Sequence, residues 1–100
     1  MNHLYIRHTV GGRLFLDSIR DNLNYELQQA DGLWKFIIDI SDEAVTREVL
    51  QNRHELNIFV VKEGEPIQKS WYYSKNGLVE YHQDMKKMII LADVKIDYSV

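Results

Sequence analysis

Cysteine is absent from the chain. That removes a disulfide framework, a thiol nucleophile and any thiolate metal site, and it fits a reducing compartment. Long apolar runs are absent as well. The longest is Met88–Ala92, far short of the roughly 20 residues that a membrane-spanning helix needs. The opening segment MNHLYIRHTVGG has no apolar stretch long enough for a signal peptide. A cytoplasmic protein without a membrane segment is the expectation. Neither sign of charge dominates: 12 Lys+Arg stand against 15 Asp+Glu, a net charge of −3, and both signs are scattered. A duplex-binding domain advertises a basic excess or a basic stripe, and this chain has neither.

What is present suits a globule. Hydrophobic residues make up 45% of the 100 positions and charged residues 27%, enough to build one core and cover it. Residues 1–100 are read as a single domain with no internal repeat, linker or low-complexity segment.

The sharpest local signal is Ser70–His82, SWYYSKNGLVEYH. Asn76-Gly77 is a turn dipeptide, because both residues accept positive φ. Trp71-Tyr72-Tyr73 precede it, and Leu78, Val79 and Tyr81 follow. Aromatic and β-branched residues fit a pleated surface. A β-hairpin is expected here. A three-residue loop, Lys75-Asn76-Gly77, would set Trp71 opposite Tyr81 and Tyr73 opposite Val79. Closing Lys62 on Ile67 would set Ile58 opposite Trp71 and Leu56 opposite Tyr73. These residues would then share a buried face, leaving Tyr72, Leu78 and His82 outside with Ser70 and Glu80 beside them.

Elsewhere alternation also speaks for strands. Leu4–Val10 sets Leu4, Ile6, His8 and Val10 on one face and Tyr5, Arg7 and Thr9 on the other. Gly11-Gly12 reads as its turn and Arg13–Ile19 as the returning strand. A turn at Asp31-Gly32 pairs Leu27 with Phe36, Tyr25 with Ile38 and Leu23 with Ile40, so strands are expected at Asn22–Gln29 and Leu33–Ile40. The four-residue spacing of Ile19, Leu23 and Leu27 keeps a helix over residues 17–31 as the alternative. Ser41-Asp42-Glu43 predicts a helix start with Ser41 as cap, and a helix over Asp42–Arg53. Beyond Leu56 the pattern is purely β: Leu56–Val61, then Ile67–Ser74 after the Glu63–Pro66 turn, then Leu78–Asp84. Last comes a strand with Met88, Ile90, Ala92, Val94, Ile96, Tyr98 and Val100 on one face. The fold class is α+β and mostly β: about eight antiparallel strands, hairpins and a C-terminal meander, with one helix near residues 42–53.

Motifs of chemistry are scarce. His3, His8, His54 and His82 form no HxH or HExxH spacing, and His3 and His8, five apart on a strand, point to opposite faces, so no metal site is expected. Ser18, Ser41, Ser70, Ser74 and Ser99 sit in no GxSxG elbow. Ser70 and His82 would be cross-strand neighbours in the hairpin, without an orienting acid or a cleft. Gly11-Gly12 lacks the Lys-Ser/Thr of a phosphate loop. No catalytic residue, cofactor or metal is therefore assigned. The expected function is a non-enzymatic protein-binding or assembly module, an inhibitor, adaptor or structural subunit. Its partner is another protein, met through a sheet face or edge, or itself, with self-association through sheet edges. The guessed contact residues are Tyr72, Leu78, His82, Ser70 and Glu80. The alternative is a single-stranded nucleic-acid binder using sheet aromatics near Lys69, Lys75, Lys86 and Lys87. Six Lys against six Asp+Glu from Leu56 to Val100 weigh against it.

Overall fold

Period-two alternation dominates the chain, and in the computed structural model, which describes residues 2–99, it becomes nine strands and a single helix. In chain order these are β1 (His3–His8), β2 (Leu14–Asp17), β3 (Tyr25–Ala30), β4 (Leu33–Asp39), α1 (Glu43–Gln51), β5 (Leu56–Lys62), β6 (Gln68–Tyr73), β7 (Leu78–His82), β8 (Lys87–Ala92) and β9 (Val94–Ser99). They form two antiparallel sheets. The first has the order β2-β1-β5-β6-β9 and the second β3-β4-β8-β7. The mostly-β α+β class expected from the sequence is the class observed.

The sheets stack face to face. Each strand sends alternate side chains inward. Leu4, Ile6, Leu16, Ile58, Val60 and Tyr72 come from the first sheet, and Phe36, Ile38, Met88 and Ile90 from the second, all at most 1% exposed. Tyr72 lies edge-on to Phe36 with ring centroids 4.9 Å apart, a favoured aromatic geometry, and so ties one layer to the other. Helix α1 packs against β2 and β7, with Val49 buried.

Several local expectations hold. Asp31 and Gly32 take φ of 55° and 76° and turn β3 into β4. Tyr25 pairs with Ile38 and Leu27 with Phe36. Leu23 and Ile40 lie just beyond the ladder, and both pack on the core. The segment forms no helix: residues 18–22 turn, and the strand runs over Tyr25–Ala30 rather than Asn22–Gln29. The Gly11-Gly12 turn is broader than two residues: the His8 N–H bonds the Arg13 carbonyl, and Val10 is exposed rather than inward. The cap of α1 is Asp42, not Ser41; its carboxylate accepts from the backbone N–H of Ala44 and Val45 at 3.0 and 3.2 Å.

Three larger expectations fail. Ser70–His82 is no hairpin, because β6 belongs to the first sheet and β7 to the second. Asn76-Gly77 lies in a connection that carries the chain across the core. There is also no C-terminal meander within one sheet. Finally, the run from Met88 onward is two strands, divided at Asp93, with β8 in the second sheet and β9 in the first. Val100, expected on its buried face, lies outside the described residues, as does the Ser99 side chain.

The β5–β6 register also differs from expectation. Lys62 pairs with Gln68, not Ile67, so Ile58 faces Tyr72 and Phe59 faces Trp71. A one-residue slip exchanges the faces of a strand. Tyr72 is therefore buried at 1% exposure, and Trp71 points outward, half-buried.

Candidate functional site

The five guessed contact residues do not form one surface. Tyr72 and Ser70 face the core, at 1% and 6% exposure. The Ser70 hydroxyl donates to the Asp97 carboxylate. Leu78, Glu80 and His82 lie together on the outer face of the second sheet. Leu78 sits beside Leu91, Glu80 beside Ile89 and His82 beside Lys87. Ser70 and His82 thus stand in different sheets, and no Ser–His pair is assembled. Among the described residues no group of three or more His, Asp or Glu converges as metal ligands would. A cleft of about 570 Å³ near the start of β3 contains Ser18, Asn22, Asn24 and Tyr25, with no histidine or acid on its walls. The Ser18 hydroxyl there accepts the Leu4 N–H at 3.0 Å.

The residues that alternation turns away from the core of the first sheet form a different kind of surface. In β1 these are His3, Tyr5 and Arg7; in β5, Asn57, Phe59 and Val61; in β6, Lys69, Trp71 and Tyr73. In β9 they are Val94, Ile96 and Tyr98, paired with Tyr73, Trp71 and Lys69 in turn. Register brings Tyr5, Phe59, Trp71 and Ile96 into one row across four strands. Tyr5 stacks on Phe59 with centroids 5.0 Å apart, and Trp71 on Tyr73 at 5.8 Å with planes 10° apart. Ile96 and Tyr98 remain 52% and 42% exposed.

Polar partners fix these rings. The Trp71 indole N–H donates to Asn57 Oδ1 at 2.9 Å, and the Tyr73 hydroxyl donates to the His54 carbonyl at 3.0 Å. Two cations lie among the rings. Lys69 Nζ is 4.6 Å from the Phe59 centroid, 5.6 Å from Tyr5 and 5.8 Å from Tyr98, and the Arg7 guanidinium is 5.6 Å from Tyr5. Such placement is attractive through the ring quadrupole. Hydrogen bonding to the Tyr5 hydroxyl raises the Lys69 pKa against the effect of its burial, so the amine stays charged. The acid beside this face is Asp17 on β2, opposite Tyr5. Its carboxylate accepts the backbone N–H groups of Ile19 and Arg20 at 3.0 Å and meets His3 Nε2 at 2.7 Å. Burial opposes its charge, but these partners outweigh it and hold its pKa below the usual carboxylate value.

The sequence carried part of this signal. Tyr5 and Arg7 were expected opposite Leu4 and Ile6, and Phe59 opposite Ile58. Ile96 and Tyr98 were missed because they continue the buried phase of β8. Among the described residues no helix is long and apolar enough to cross a membrane. No family model, curated protein or solved structure matches this chain.

Proposed function

We propose that this protein is a non-enzymatic binding and assembly module whose contact surface is the outer face of the first sheet, and whose partner is a protein. The observation that carries the reading is the continuous row Tyr5–Phe59–Trp71–Ile96, flanked by Tyr73 and Tyr98, on the solvent side of a sheet whose other side is already filled by the core. Half-buried Tyr5, Phe59, Trp71 and Tyr73 beside exposed Ile96 and Tyr98 make a contiguous solvent-facing apolar patch, the kind of surface that marks interaction sites. Aromatic and Arg anchors dominate interface energetics, and Tyr, Trp and Arg all occur here. The rings are held by hydrogen bonds and stacking, so little side-chain freedom remains to be lost on binding.

The test compares proteins retained from native cell extract by the wild type and by Trp71→Ala and Tyr5→Ala variants whose folding is verified by circular dichroism. Partners retained by the wild type and lost by both variants support the reading. An unchanged set of partners rejects this face.

A second reading has one specific observation in its favour: Lys69 and Arg7 lie among the rings of this face. Bases stack on sheet aromatics beside such cations in single-strand binders. With Trp34→Phe leaving Trp71 as the reporter, quenching by an oligonucleotide at low salt, lost as salt rises, would support it. Unchanged fluorescence at low salt removes it.

A further inference from the structure

The first sheet ends on β9, which pairs with β6 and, among the described residues, with no strand on its other side. Natural sheets blunt such edges with short strands, bulges, proline or charge. The other three outer strands do so. β2 has only four residues and a register shift against β1. β3 presents Glu26, Gln28 and Gln29. β7 carries Glu80 and His82 and packs against α1. β9 is six residues long, has no proline or glycine and pairs regularly with β6 from Val94 to Ser99; its two charges, Lys95 and Asp97, are of opposite sign, so they can match a second copy of the same strand while opposing other edges. It also bears the two most exposed apolar side chains of the outer face, Ile96 and Tyr98.

From these features we infer that β9 pairs antiparallel with β9 of a second copy of this chain, about a twofold axis at Ile96. The register follows from the sequence Val94-Lys95-Ile96-Asp97-Tyr98. Centring on Ile96 sets Lys95 opposite the second copy's Asp97 and Asp97 opposite its Lys95, while Val94 meets Tyr98 and Ile96 meets Ile96. Opposite charges placed directly across an antiparallel pair are stabilising and like charges are destabilising. Centring on Lys95 opposes two lysines, and centring on Asp97 opposes two aspartates. Centring between two residues sets an outward side chain against an inward one, joining the outer face of one sheet to the core side of the other. Among centres on Lys95, Ile96 and Asp97, only Ile96 satisfies both charge and face, and it is the centre that pairs Lys95 with Asp97 on both sides of the axis.

The charges are already poised for it. Within one chain Lys95 Nζ lies 3.3 Å from the Asp97 carboxylate, and both side chains reach solvent. A second copy extends this pair into an alternating set of four charges beside the seam. The two first sheets become one ten-stranded sheet, and the two aromatic faces become one surface with Ile96 at its centre. The pairing deepens the assembly reading above and rests on it, with a second copy as the partner at the edge.

The test uses the full chain and its lack of cysteine. Under mild oxidation Ile96→Cys should form a disulfide-linked dimer. Val94→Cys and Tyr98→Cys should not do so alone, but should cross-link to each other when mixed. In sedimentation velocity the wild type should show a concentration-dependent doubling of mass. Lys95→Asp and Asp97→Lys should each lose the dimer, and the double variant should regain it. A wild type that stays monomeric, equal cross-linking at all three positions, or a double variant no better than the singles would overturn the pairing. If a single charge variant fails to fold, the cysteine series and the double variant still decide. A monomeric wild type whose retained partners are lost on Ile96→Lys would overturn it too, and would assign the edge to a different protein. A monomer whose partners depend on Trp71 alone would overturn the pairing and leave the outer-face reading standing.

Discussion

Trp71 and Tyr72 are adjacent, aromatic and on one strand, yet they do opposite work. Tyr72 fills the space between the sheets, and burial raises its hydroxyl pKa, with the neighbouring Lys95 working against that rise. Trp71 stands on the outer face. Tyr72→Ala should cost about 3–5 kcal/mol, the range for deleting a buried aromatic ring. Trp71→Ala should cost about 1 kcal/mol, the centre of ordinary substitutions, while weakening partner binding. Urea unfolding of both variants checks this, and the reverse order would mean that the β5–β6 register is wrong. Gly77 makes a second residue-scale case. Its φ is +60°, and a Cβ there would stand 2.6 Å from His54 Nδ1. Gly32 has a similar φ of +76° with open space around it. Gly32→Ala should lose about 1 kcal/mol from the left-handed backbone alone. Gly77→Ala should lose more, because the His54 ring must also move, and the difference between the two midpoints of denaturation reads that extra term.

At the scale of elements, the last two of the four passages between the sheets are the features that hairpin logic could not reach. The connection from β6 to β7 and the break between β8 and β9 are tied to one another. Asp93 Oδ1 accepts the Lys75 N–H at 2.9 Å, the Asp93 N–H donates to the Tyr73 carbonyl, and Ser74 Oγ accepts the Leu78 N–H at 3.1 Å. Asp93→Ala leaves the Lys75 N–H without its acceptor. A loss of about 1–2 kcal/mol is expected, with faster amide exchange in Ser74–Leu78 than in β4. Equal protection in both segments would show that the corner does not depend on Asp93. The break also explains the misread terminal strand. Its alternation continues unbroken through Asp93, so the side chains keep their direction while the strand passes from one side of the core to the other. Met88, Ile90 and Ala92 point at the core from the second sheet. Val94 and Ile96, in the same phase, point away from it in the first.

For the whole molecule, acid sensitivity follows from the carboxylates. Asp17 is held below its ordinary pKa by the backbone N–H groups of Arg20 and Ile19 and by His3, against the effect of burial. Ser70 and then Lys95 lower Asp97, again against burial. A depressed folded-state pKa adds stability above the unfolded value of about 4, and that stability is lost as pH falls through the folded value. Stability should therefore fall as pH drops below about 4. Asp17→Asn should be less stable than the wild type at pH 7, with the gap narrowing under acid. Thermal melts across that range check both, and a gap that widened with acid would contradict the sign.

Much of the architecture was legible in local patterns. The β class, α1, the Asp31-Gly32 turn and the inward faces of β1, β3, β4 and β5 follow from alternation and turn chemistry, which act between near neighbours. Tertiary structure alone decided which sheet each strand joins. Sequence alternation records that a strand has two faces, but it does not record on which side of the strand the core lies. The passage from β8 to β9 inverts that relation within one continuous alternation. The β5–β6 register buried Tyr72 and turned Trp71 outward, and the passage from β8 to β9 turned Ile96 and Tyr98 to solvent, so that the proposed contact surface lies on the first sheet.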